Sequence, residues 1–90
     1  MADYQFKRVK HQKKTVEGLY LEYNLLRTSN MISGDNIYSV RIDLTNGTKT
    51  EYKLAFDISR SLISAKKIFN TLVCNAVTPC TLFDVLEDIL

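Results

Sequence analysis

The stretch Ile37–Phe56, IYSVRIDLTNGTKTEYKLAF, decides how this chain folds. Tyr38, Val40, Ile42 and Leu44 recur at period two in its first half, and Tyr52, Leu54 and Phe56 do the same in its second. Alternation at that period marks a half-buried strand, because successive side chains leave a strand on opposite faces. Between the runs stands TNGT, Thr45–Thr48. Asn-Gly there is a strong hairpin signal, since both residues tolerate the positive φ that tight turns require.

The two dry faces set the expected register. A loop of Asn46 and Gly47 alone would put Ile42 and Val40 opposite Glu51 and Lys53, mixing an apolar face with a charged one. A three-residue loop of Thr45, Asn46 and Gly47 pairs Leu44 with Thr48, Ile42 with Thr50, Val40 with Tyr52 and Tyr38 with Leu54. That register also sets Arg41 against Glu51 and Asp43 against Lys49, opposite charges worth about 0.2–1 kcal/mol each. A loop of Asn46, Gly47 and Thr48 aligns the apolar sides too, but faces Arg41 with Lys53 and Asp43 with Glu51. The expectation is therefore a type I turn with a G1 bulge, and Gly47 at positive φ.

Upstream, Leu19, Leu21, Tyr23 and Leu25 alternate with Tyr20, Glu22 and Asn24, a third half-buried strand. Glu17 and Gly18 precede it, and before them a basic run from Tyr4 to Thr15 is the expected first strand. A loop of Val16, Glu17 and Gly18 would put Val9 opposite Leu25 and His11 opposite Tyr23, with Lys10, Gln12 and Lys14 outward. The segment RTSNMISGDN, Arg27–Asn36, reads as a connecting loop.

After Ile58 the period lengthens to that of a helix. Leu62, Ala65, Phe69, Leu72, Val73 and Ala76 form one stripe with Ile68 beside it, and Ser59 or Ser61 stands ready to cap its start. In TPCTLFDVLEDIL, Thr78 is the expected cap and Pro79 the first helical residue, where a missing N–H costs nothing. Leu82, Phe83, Leu86, Ile89 and Leu90 form the apolar face of this second helix, with Val85 at its margin. Neither helix can bury its stripe alone and the sheet has one dry face, so both pack on that face. The fold class is α+β: a four-stranded antiparallel meander followed by two C-terminal helices, in one domain spanning residues 1–90.

The run AFDIS (Ala55–Ser59) and the closing phrase VTPCTLFDVLEDIL resemble a group of small uncharacterised proteins of clostridia-like Firmicutes, a domain of unknown function. Members typically end in Pro-x-x-Leu-x-Asp-Val-x-Glu-Asp-Phe-Leu, matched here by Pro79, Leu82, Asp84, Val85, Glu87, Asp88 and Leu90, with Ile89 at the aromatic position. The resemblance implies the same strands-then-helices order and carries no activity. Members are often richer in acidic residues before the first helix, where Arg60, Lys66 and Lys67 occur here.

At 90 residues the chain has material for a single core, and 46% apolar with 24% charged residues is an ordinary globular balance. No apolar run resembles a signal peptide or approaches a membrane span, so a cytoplasmic protein without a membrane is expected. Cys74 and Cys80 are too few for a disulfide framework and are expected as buried thiols. The single histidine, His11, lies in a lysine-rich strand with no nucleophile at a coupling distance in the sequence, and is expected to be solvated or at an edge. Asp84, Glu87 and Asp88 share a helix face, yet no His or Cys pair at metal spacing accompanies them. No catalytic residue, metal ligand or cofactor is assigned, and the chain is expected not to be an enzyme.

What remains are surfaces. Lys7, Arg8, Lys10, Lys13 and Lys14 give the first fourteen residues a net charge of +4 against Asp3, a strip able to follow a phosphate backbone with Tyr20 as a stacking platform. The same lysines suit an edge strand that must resist edge-to-edge pairing. The uncovered sheet face is expected to show Tyr20, Glu22, Asn24, Leu26, Arg41, Asp43, Glu51 and Lys53, mixed in charge and wet. By elimination the expected function is a protein-binding domain, an adaptor or regulator, acting as a monomer or weak homodimer. Its candidate contacts are the five basic residues with Tyr20, Arg41, Lys53, Asp84, Glu87 and Asp88. A nucleic-acid-binding module using the basic strand is the first alternative. A phage or mobile-element inhibitor of a host or defence enzyme, such as an anti-CRISPR, is the second.

Overall fold

The computed structural model describes residues 6–29, 32 and 34–90. Strands β1 (Lys7–Val16), β2 (Leu19–Ser29), β3 (Asn36–Asn46) and β4 (Lys49–Ser59) form one antiparallel sheet in the order β1-β2-β3-β4. Helices α1 (Leu62–Cys74) and α2 (Leu82–Ile89) follow, the latter led by a 3-10 turn at Pro79–Thr81. This is the meander-then-helices order that the periodicities predict. β2 runs on through Ser29 and β3 begins at Asn36, so the connecting loop is shorter than RTSNMISGDN suggests. Tyr4, expected in the first strand, lies outside the described residues.

One face of the sheet is roofed. Leu21, Tyr23 and Leu25 of β2 and Tyr38, Val40 and Ile42 of β3 are buried with Ala65, Phe69 and Leu72 of α1 and Leu82 and Leu86 of α2. Tyr23 meets Phe69 edge-on at 6.5 Å between centroids. α2 lies beside β4 and is only two turns long, so its sheltered side is narrow: Phe83, Ile89 and Leu90, expected inside, are exposed. Leu62, expected in the α1 stripe, is exposed as well.

α1 starts at Ser61, whose hydroxyl accepts from the Ser64 N–H. At its other end the Val77 N–H bonds the Leu72 carbonyl and the Ala76 N–H bonds that of Val73, a complete Schellman motif. The left-handed residue it needs is Ala76, at φ 49°. Thr78 and Thr81 form the capping box that opens the next segment, with Pro79 behind Thr78 as expected. The Cys74 and Cys80 thiols flank this junction and both are exposed, correcting the expectation that they are buried: α1 points its last residue, and the 3-10 turn its second, away from the core.

Both hairpins are tighter than the dry-face argument predicts. In β3–β4 the loop is Gly47–Thr48 alone, closing on Asn46 and Lys49, with Gly47 at φ 63° and Thr48 at negative φ. That is the sign pattern of a type II′ turn, with glycine first, and no G1 bulge forms. The positive φ is as expected but the register is not: Leu44 faces Glu51, Ile42 faces Lys53, Arg41 faces Leu54 and Val40 faces Ala55. A bulge then carries the pairing from Val40–Ala55 to Tyr38–Ser59, with Asp57 in the left-handed region at φ 58° and its N–H donated to Ser39 Oγ at 3.0 Å. Within the bulge Phe56, Asp57 and Ile58 stand against Ser39 alone, and Ala55 and Ile58 both join the core. Burial on β4 is thus met by a small residue and one beyond a kink, and Tyr52, Leu54 and Phe56 turn to the other side.

β1–β2 slips by one residue in the same way. Glu17 and Gly18, at φ 49° and 82°, form a two-residue turn with both signs positive, as type I′ requires. Lys10 then faces Leu25 and Gln12 faces Tyr23, where Val9 and His11 were expected. A one-residue slip inverts every side chain from Lys10 to Val16, and a bulge between Arg8 and Lys10 restores the expected register beyond it, where Arg8 faces Leu26 and Lys7 faces Arg27. Lys10, Gln12 and Lys14 stand on the helix side, and His11 and Lys13 on the open side.

Candidate interaction surface

The register places three rows across the uncovered face. Thr15, Tyr20, Thr45 and Thr50 form one, Lys13, Glu22, Asp43 and Tyr52 the next, and His11, Asn24, Arg41 and Leu54 the third. Tyr20, Glu22, Asn24, Leu26, Arg41 and Asp43 are where the sequence puts them. Glu51 and Lys53 are not: they face the helix side, and Tyr52 and Leu54 replace them. The surface is therefore more aromatic than expected, with Tyr20 63% and Tyr52 61% exposed.

Two polar pairs organise its centre. His11 Nε2 lies 2.8 Å from Glu22 Oε1, bridging β1 and β2. The Arg41 guanidinium bonds Asp43 through Nη2 at 3.0 Å and Nε at 3.2 Å, and its Cζ stands 4.1 Å from the centroid of the Tyr52 ring. These contacts replace the cross-strand pairs of Arg41 with Glu51 and Asp43 with Lys49, which the register rules out. Asn24 sits between the two pairs, 7% exposed, and its Oδ1 has no hydrogen-bond partner. At one end of the face Thr28, Ile37 and Ser39 are buried, and Phe6 meets Phe56 edge-on at 6.4 Å.

The basic strip is divided between two faces. Lys10 donates to Asn70 Oδ1 at 2.8 Å, with its ammonium 5.6 Å from the Phe69 centroid. Lys14 donates to the Val73 carbonyl at 2.9 Å and reaches that of Cys74 at 3.4 Å. It serves the negative end of α1, whose own last turn has no base. Arg8 and Lys13 remain exposed on the open side, and Lys7 is exposed at the start of β1. Lys53 lies over the Phe83 ring at 5.2 Å on the helix side, and Asp84, Glu87 and Asp88 are exposed on α2. The structure thus brings Arg8, Lys13, Tyr20 and Arg41 onto one surface and separates Lys10, Lys14, Lys53 and the acidic trio from it.

A shallow depression of about 360 Å³ lies at the end of the β3–β4 hairpin, lined by Leu44, Asn46, Lys49, Thr50 and Glu51. Among the described residues no group of three His, Cys, Asp or Glu side chains is placed to hold a metal ion. None of the described helices is long and apolar enough to cross a membrane.

A family model, described as a family of unknown function (DUF6514), matches residues 5–90. The chain belongs to that family. No curated protein and no solved structure gives a match. The match spans the sheet and both helices, so the open face and its aromatic residues lie wholly within the family's domain. Tyr52 and Phe56 were not legible as surface residues. The signal that could have found them is Ala55-x-x-Ile58, a spacing of three inside a strand that otherwise alternates by two.

Proposed function

We propose that this member of the family is a non-enzymatic binding domain of the cytoplasm, an adaptor or regulator, that engages another protein through the open face of its sheet. The observation that carries this reading is the pair of well-exposed tyrosines, Tyr20 and Tyr52, flanking the Arg41–Asp43 pair on one side of the sheet. Tyrosine and arginine are the residues enriched where proteins bind proteins, because each offers a large contact area with a polar handle. The division of the basic strand weighs against the nucleic-acid alternative: Lys10 and Lys14 are engaged with α1, so the phosphate-following strip loses two of its five cations.

The test is capture from native lysate with immobilised protein, treated or untreated with nuclease, comparing wild type with Tyr20→Ser/Arg41→Gln at matched thermal stability. The reading expects partners that survive nuclease and are lost in the variant. Partners that all vanish with nuclease would favour phosphate recognition, and capture indifferent to the variant would remove the open face from the account.

A further inference from the structure

Among the described residues β4 has β3 on one side and no strand on the other, and its charge pattern is its own complement. A two-residue turn closes on a pair that exchanges both backbone hydrogen bonds, and such pairs recur at every second residue. Asn46–Lys49, Leu44–Glu51 and Ile42–Lys53 are then the bonded pairs, and Thr50, Tyr52 and Leu54 turn their N–H and C=O groups to the free edge. We propose that a second copy of this chain pairs antiparallel with β4, with Tyr52 facing its own symmetry mate across a two-fold axis.

In that register Thr50 faces Leu54 of the other copy, so every outward backbone group of the three residues finds a partner. Glu51 faces Lys53, twice by symmetry, in the closely spaced non-bonded positions where side chains interact most. Lys49 faces Ala55, and the Asp57 bulge ends the pairing. Sliding one strand by two residues sets Glu51 against Glu51 and Lys49 against Lys53 in one direction, and Lys53 against Lys53 in the other. Charge therefore selects one register. Lys49–Lys53 are all exposed, so the first half of β4 is open to a partner strand. The two Arg41–Tyr52 stacks would adjoin across the axis.

The opposite edge behaves differently. β1 reads KRVKHQKKTV, with five cations and no acid, so antiparallel self-pairing brings cation against cation. Growth stops at two copies, as an isologous contact requires. This inference does not depend on the open-face reading, and a chain that stays monomeric would leave that reading standing.

The experiment is sedimentation equilibrium on the full chain, up to about 1 mM, a range that detects even weak association. The expected result is a mass rising with concentration toward that of two chains and no further. Lys53→Glu, which turns both cross-axis pairs repulsive, should raise the dissociation constant about tenfold or more. Glu51→Lys/Lys53→Glu, which exchanges the charges, should return it to within about threefold. A monomer throughout, a dimer indifferent to Lys53→Glu, a swap that fails to restore association, or open-ended growth would each overturn the proposal.

Discussion

Tyr23 is the most informative place to perturb the fold. Its ring is fully buried and its hydroxyl donates to the Val77 carbonyl at 3.0 Å, joining the middle of the sheet to the turn that ends α1. Burial pushes the phenol up from 10.0 to about 12. Tyr23→Phe keeps the ring and deletes the donor. The loss is a buried neutral hydrogen bond and a carbonyl left without its partner, about 1–2 kcal/mol at neutral pH, or roughly 4–16 °C in Tm for a domain of this size. The pH dependence follows from linkage. The folded phenol holds its proton above the unfolded value, so its contribution is complete below pH about 10 and declines as the unfolded state ionises between about 10 and 12. At pH 11 the wild type should have lost about 1.4 kcal/mol, one unit's worth of shift, that the phenylalanine variant never had to lose. The two stability curves should therefore converge near pH 11. Urea unfolding followed by circular dichroism at pH 7, 9, 10 and 11 reads this directly. Equal stability at pH 7, or a difference that stays constant from pH 9 to 11, would refute the placement of the hydroxyl.

Three further outcomes follow from the backbone and the helix ends. Ala76 holds φ 49° in the Schellman motif, so Ala76→Gly should stabilise by about 0.5–1 kcal/mol, read as a higher urea midpoint with an unchanged slope. Gly47→Ala meets no atom within 4 Å of the added Cβ but must keep φ 63°, so it should cost about 1 kcal/mol through backbone strain alone, with Gly47→Asn milder. Lys14→Met removes the cation at the end of α1 and should cost about 0.5–1 kcal/mol at low salt and less at 1 M. The exposed neighbour Lys13→Met is the control, and its thermal melt should coincide with that of the wild type.

The element types, their order and the dry side of the two central strands were legible in the sequence. Leu21, Tyr23, Leu25, Val40 and Ile42 alternate because β2 and β3 lie beneath α1, and Phe69 and Leu72 recur at helical spacing because α1 has one sheltered side. Periodicity reports burial, and burial is most uniform at the centre. The edges followed other rules. On β4 the same alternation, Tyr52–Leu54–Phe56, marks the open face, because the two-residue turn set the register that sends Ala55 inward, and the Asp57 bulge adds Ile58 to the core.

On β1 the register was decided by a type I′ turn, which made structural lysines of Lys10 and Lys14 while leaving Lys13 in solvent. A long amphipathic side chain can cover a helix with its stem and reach a carbonyl with its ammonium, so its residue type does not tell which face it takes. Local sequence thus determined which segments are strands and helices, since that depends on neighbours along the chain. Only the tertiary structure decided which way the edge strands face, since that depends on turn geometry and on what lies across the sheet.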